Sequence, residues 1–248
     1  MSKSDEYRQQ LRELKDWKPF LLKESGLPGP RGNLELAQVV AEEASPKQIE
    51  AFLSIPMEAS PENSSQVFVV FCGVSALGKR IAGGDRAQLK RLRQYASDPR
   101  WRIREAVAIG LQYFGDADVR GLLNEMQRWA KGAWYEKRAV AAALAEPRLL
   151  RQPEVAAAVL RILDRITLDI EAAGRETSEA FLTLRKSMGY CWSVAVAALP
   201  KAGKPLMEKW LRSKSPDVRW LMKQNLTKNR LIRMDAAWVR ACSSRLGS

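Results

Sequence analysis

The strongest constraint on this chain is a short alanine-filled stretch that keeps returning. Aligned on a terminal leucine, Cys72-Gly-Val-Ser-Ala-Leu77 matches Ala106-Val-Ala-Ile-Gly-Leu111, Ala139-Val-Ala-Ala-Ala-Leu144 and Val194-Ala-Val-Ala-Ala-Leu199, and Val218 to Leu226 is a weaker copy. The intervals between terminal leucines are 34, 33, 55 and 27 residues. The first two are the period of a helix-pair repeat, and the 55 reads as a unit enlarged by an insertion. The copy within Ser97–Gln112 shows what each unit needs. Asp98 is a natural N-cap, and Pro99 at the first helical position gives up only an amide that has no intrahelical partner. Ile103, Val107 and Leu111 recur four apart with small Ala106, Ala108 and Gly110 between them, the pattern of a helix built to lie close against others. One such pair cannot bury its apolar face alone, so successive pairs must stack.

The rest of the chain agrees with helix. Ala, Leu, Arg, Glu and Lys dominate the 248 residues, hydrophobic residues make up 46%, and long alternating Val/Ile/Thr runs are missing. Residues 5–24 read as one helix with Leu11, Leu14, Phe20 and Leu21 on one side, and Gly26 to Asn33 as a Gly/Pro linker. Helices follow at 34–44 and 46–55, the second opening on Ser45 with Pro46 behind it, and 56–65 is a polar loop. Partner helices are expected at 85–96, 116–130, 153–172 and 203–213, with a break near Gly174. Val67–Cys72 alone would pass for a buried strand, and Gly73-x4-Gly78-Lys79 imitates a phosphate-binding loop. That loop also needs Ser or Thr after the lysine to ligate magnesium, and here the position is Arg80. The repeat register selects a helix instead, with Gly78 expected as its left-handed C-terminal cap.

Composition narrows the chemistry. There is no histidine, which removes imidazole bases, histidine metal ligands and serine–histidine triads. Cys72, Cys191 and Cys242 are far apart in sequence and fit a reducing cytoplasm better than a disulfide framework. The N-terminus lacks an apolar signal core, and no uninterrupted apolar run reaches the ~20 residues of a bilayer span. The net charge of +13 is concentrated: residues 79–104 hold nine Lys/Arg against two acids, and residues 201–248 hold twelve against three. Cations gathered this way suit a polyanionic partner; the plain alternative is a generically basic surface.

The runs Asp98-Pro99…Ile103-Arg104-Glu105-Ala106 and Pro216-Asp217-Val218-Arg219 resemble the turn and second helix of the HEAT-repeat family of α-solenoids, over about residues 34–235. That resemblance implies an all-α, right-handed α-α superhelix of about five helical pairs with an additional N-terminal helix. Residues 1–33 would form the N-terminal helix and linker, 34–240 the repeat domain, and 241–248 a tail. In the family a turn aspartate and a second-helix arginine commonly form a ladder between repeats; Asp98, Arg104, Asp217 and Arg219 would be the counterparts.

Second helices of such solenoids line the concave side. The candidate ligand-binding residues there are Trp101, Arg102, Arg104, Trp134, Lys137, Arg138, Arg185, Lys186, Trp192, Arg219, Trp220 and Lys223, continued by Arg230 and Arg233. Tryptophans interleaved with arginines suit a stacking, phosphate-contacting groove; alternatively the rings cover the ends of the repeat core with indole N–H groups at its rim. Cys191, in the cluster Tyr190-Cys191-Trp192-Ser193, reads as a small buried hydrophobe. The expected function is non-catalytic binding of an anionic macromolecule, an acidic protein segment or a nucleic-acid backbone, with no cofactor, metal or membrane span. The runner-up is a DNA alkylation-repair glycosylase, some of which are HEAT-like. Such an enzyme needs a carboxylate among groove aromatics, and Asp16-Trp17, Asp164, Asp169 and Asp235 with Trp238 match that motif poorly.

Overall fold

The structure, a computed structural model, describes residues 2–247. Among them are fourteen α-helices, one 3-10 turn and no strand. The helices group into two compact units, residues 1–117 and 118–248.

Unit 1 contains α1 (Lys3–Glu13), α2 (Lys18–Glu24), α3 (Leu34–Glu43), α4 (Pro46–Leu53), α5 (Ser65–Ala82), α6 (Gln88–Tyr95) and α7 (Trp101–Ala117). Helices α3, α5 and α7 lie side by side, with α4 and α6 packed across them and α1 and α2 against α3 and α5. Val67–Cys72 is helical, inside α5. By length and composition α5 could cross a membrane, but 72% of it is buried, as a core helix requires. Its apolar run faces protein on all sides because α2, α3, α4, α6 and α7 all pack on it.

Three local expectations are corrected. Residues 5–24 form two helices, because Leu14 is extended and Trp17 turns back to donate its indole N–H to the Leu11 carbonyl at 2.8 Å. Asp16 then accepts from the Lys18 amide at 3.0 Å and starts α2. Gly78 does not end α5, which runs four residues further. A Cβ at Gly78 would stand 2.1 Å from the Gly110 carbonyl oxygen, so the glycine is there to let α5 and α7 cross backbone to backbone. Asp98 caps the turn before α7 rather than the helix: its Oδ1 accepts from the Arg100 amide at 2.9 Å.

Unit 2 contains α8 (Val119–Trp129), α9 (Trp134–Leu144), α10 (Pro153–Ala172), α11 (Glu179–Ala198), α12 (Pro200–Trp210), α13 (Pro216–Leu226) and α14 (Asn229–Gly247). Helices α9, α11 and α13 form one row and α8, α10 and α12 a second row beneath it, with α14 against α11 and α13. The break between α10 and α11 falls at Gly174, whose φ of +64° is the left-handed conformation glycine tolerates. Helix α14 kinks at Asp235 and continues through the positions expected to be a tail, where Cys242 is buried. Asp235 recaps the second half, its Oδ1 accepting from the Trp238 amide at 2.9 Å.

Candidate anion-binding face

The two basic segments are used differently. In unit 1, Lys79, Arg80, Arg91, Arg100 and Arg102 each stand within 4.0 Å of a carboxylate. Arg100, Arg102 and Arg104 are buried, which corrects the placement of the last two on a ligand-facing surface. Arg100 pairs with Asp98 at 2.7 Å and donates to the Ser60 hydroxyl at 2.6 Å. Arg102 donates to the carbonyls of Glu62 at 3.2 Å and Gly29 at 3.0 Å, and Arg104 to those of Asp98 and Pro99, both at 2.7 Å. These guanidinium groups satisfy loop carbonyls that would otherwise be orphaned beside the start of α7. Burial pushes the Glu62 carboxyl above its ordinary pKa even with Arg102 beside it. Trp101 is 42% exposed, with the Arg102 guanidinium 4.4 Å from its ring centre.

In unit 2 the outer side of the α9–α11–α13 row collects the remaining candidates. Leu182, Lys186 and Tyr190 recur four apart on α11 and are all exposed, so they form one stripe. Beside it on α13 lie Trp220, half-buried, and Lys223, exposed. Gly189 makes the junction possible: a Cβ there would come within 3.3 Å of the Trp220 ring and 3.1 Å of Gln224. The Arg185 guanidinium lies 4.5 Å over the Trp220 ring and pairs with Asp217, a pairing between α11 and α13. Arg230, at the start of α14, lies 4.6 Å over the Tyr190 ring and donates to its hydroxyl. The charges of Arg138, on α9, and Arg230 both act on Cys191, opposing the burial that pushes its thiol up to about 11.

This face carries almost no acid. Segments 137–145, 180–207 and 218–234 contain neither Asp nor Glu. Lys186, Lys223 and Arg233 are exposed, with no carboxylate within salt-bridge distance among the described residues. A clamp beneath holds the face in shape. Buried Asn225 on α13 donates to the Met188 carbonyl at 2.8 Å, and its Oδ1 accepts from the Ser193 amide at 2.8 Å. Both are backbone groups of α11, on either side of Tyr190.

Other expected members lie elsewhere. Trp192 is fully buried and donates to the Thr167 hydroxyl at 3.0 Å, so it belongs to the core. Trp134 meets Phe181 edge-on at 5.4 Å, and Lys137 is buried against Asp169 at 3.1 Å. Arg219 donates to the Leu246 carbonyl at 2.7 Å, securing the end of α14 rather than a ladder aspartate. Tyr190 and Asn225 were not among the expected site residues. Tyr190 had a readable signal, one helical turn past Lys186; Asn225 had none, since a buried amide and a surface one look alike in sequence.

The carboxylates a glycosylase would need are engaged structurally. Asp16 and Asp235 cap helices, and Lys204 bonds Asp235 at 2.7 Å. Asp164 accepts from the Trp210 indole at 2.7 Å, and Asp169 holds Lys137. Cys72, Cys191 and Cys242 are unpaired and buried, with thiol pKa values raised by burial, so they are poor nucleophiles. No group of His, Cys, Asp and Glu able to hold a metal occurs among the described residues. Comparison with known proteins finds no family model, no curated protein and no solved structure that matches this chain.

Proposed function

We propose that this chain is a HEAT-like α-solenoid that binds the sugar–phosphate backbone of a nucleic acid, without catalysis, along a basic concave face built on α9, α11, α13 and the start of α14. The observation that carries this reading is the acid-free row of exposed cations, Lys186, Lys223 and Arg233, interleaved with Tyr190 and Trp220. An acidic protein segment would be served by the cations alone. An aromatic pair among them, Tyr190 exposed and Trp220 half-buried, adds a platform on which bases stack, worth about 1–3 kcal/mol per base. The paired arginines above both rings keep positive charge at the level where phosphates would lie. The rows of helices within each unit and the 33–34-residue period support the solenoid, and three buried reduced thiols suit a reducing cytoplasm.

The test is fluorescence anisotropy with labelled single-stranded and duplex oligonucleotides across a salt series. Four to six phosphate contacts predict duplex affinity falling about 100- to 1,000-fold between 50 and 200 mM salt. Tyr190→Ala should weaken binding about tenfold while leaving the salt slope unchanged, because stacking releases no counterions. Absence of binding at low salt, or binding indifferent to salt, would overturn the proposal.

A further inference from the structure

The second helix row of unit 2 holds a separate groove. It lies between α8 and α10, has a volume of about 420 Å³, and is floored by Ala130, Ala158 and Ile162. Two alanines at facing positions leave the space open, because neither side chain reaches across. Lys131, Arg161 and Arg165 form the rim. Lys131 and Arg161 are exposed. Arg165 stands 3.5 Å from the Asp169 carboxylate, which is held more closely by Lys137 at 3.1 Å. One turn beyond Arg165 on the same helix, Leu168 is 44% exposed. The result is a short apolar floor, Ala158 and Ile162 one turn apart on α10 with Ala130 facing them, edged by cations.

From this arrangement we infer that the α8–α10 groove docks an acidic amphipathic helix of a partner protein, apolar residues down on Ala130, Ala158 and Ile162 and carboxylates out toward Lys131, Arg161 and Arg165. The chemistry separates this occupant from a nucleic acid. The groove is lined by no aromatic ring, so bases would find nothing to stack on, and an apolar floor offers a phosphate backbone no bond. It equally separates it from a free phosphate, which would gain nothing from Ala158 and Ile162. A helix with leucines at i and i+4 and flanking glutamates matches both the floor and the charge of the groove. The groove belongs to the opposite helix row from the cationic aromatic face, so this inference stands or falls independently of nucleic-acid binding.

The probe is a fluorescein-labelled 18-residue peptide of that design, read by anisotropy against the full chain, with a control of identical composition scrambled to destroy the stripe. The expected result is saturable binding of the designed peptide, at least about tenfold weaker binding of the scramble, and loss of binding in R161E/R165E. Those arginines are exposed, so the variant should keep its circular-dichroism spectrum and melting temperature, and Tyr190→Ala should leave peptide binding unchanged. Ala158→Phe, which fills the floor without touching charge, should also abolish binding. Equal binding of peptide and scramble, no binding, or full binding by R161E/R165E would each overturn the inference. So would competition by an oligonucleotide that is itself lost in R161E/R165E, because the groove would then be a nucleic-acid site.

Discussion

Unit 1 and unit 2 use the same residue types to opposite ends. Arg100-Trp101-Arg102-Ile103-Arg104 places three guanidinium groups in the protein interior, where loop carbonyls and Asp98 take up their donors. Arg185, Lys186, Trp220, Lys223 and Arg230 lie at or near the surface of α11, α13 and α14: Lys186 and Lys223 are exposed, and Arg185 and Arg230 are half-buried over aromatic rings. The difference comes from what adjoins each helix. The start of α7 meets the irregular 56–64 segment, whose backbone carbonyls need donors, whereas α11 is flanked by helices that satisfy their own backbones. An arginine's value to a ligand is therefore set by the unmet hydrogen bonds beside it. Density of positive charge along the chain is a poor guide to it.

The sharpest way to break that contrast is to remove one arginine from each region. The Arg100 and Asp98 side chains are each 9% exposed, so Arg100→Met strands a buried carboxylate and takes a donor from the Ser60 carbonyl, and should cost about 3–5 kcal/mol. Arg230→Met, at a half-exposed cation over a tyrosine, should change stability by less than about 1 kcal/mol. Urea melts of the two variants measure the difference, and equal losses would erase the distinction between structural and surface arginines. Next in size is Asn225→Ala. It removes the buried bonds that tie α13 to the Met188 carbonyl and the Ser193 amide inside unit 2, and should cost about 1–3 kcal/mol. It should also weaken oligonucleotide binding, since the turn of α11 that carries Tyr190 loses its support.

How far this was legible in the sequence follows the same division. The identity of α5 as a helix was readable because the repeat register outranked its β-like apolar run, and Ser45 and Pro46 marked the start of α4 by their own chemistry. Gly78 was misread because a glycine that ends a helix and one that lets two helices touch carry the same letter. Its partner Gly110 sits 32 residues on, close to the repeat period, and that pairing was the available clue. The burial of Arg102 could not be read at all, since it depends on carbonyls contributed by Gly29 and Glu62, which are distant in sequence; Arg104 bonds the nearby carbonyls of Asp98 and Pro99, a contact that a helical reading of the segment does not show. On the face of unit 2 the cations were readable in type; the stripe of Lys186 and Tyr190 needed only helical spacing.

A smaller effect tests the exposed side alone. Lys186→Gln with Lys223→Gln removes two cations that have no carboxylate within salt-bridge distance among the described residues. Oligonucleotide affinity should fall about tenfold at low salt, and the salt slope should shrink by about two counterions on duplex. Thermal stability should stay within about 0.5 kcal/mol of the parent. A drop in stability without a change in affinity would move these lysines into the structural class with Arg100.

The smallest expected effect is one of sign, and it separates the two units through pH. Glu62, in unit 1, has its pKa raised, burial being the largest cause. A carboxyl raised on folding favours the folded state most fully below its unfolded pKa of about 4.3, and that contribution is lost as pH rises through the folded value. Asp235, in unit 2, has its pKa lowered, first by the hydrogen bond from Lys204 and then by the Trp238 amide. Its contribution is present above the unfolded pKa of about 3.9 and is lost as pH falls through the folded value. Relative to the parent, Glu62→Gln should therefore become progressively more stable as pH rises from 4 to 7. Asp235→Asn should become progressively less stable as pH rises through the range below about 4.5 and then level off. Urea midpoints measured for all three proteins across that range give the two slopes directly. If both differences run in the same direction, Glu62 is held by Arg102 as an ordinary ion pair. The arginines of unit 1 would then owe their burial to that carboxylate rather than to the loop carbonyls.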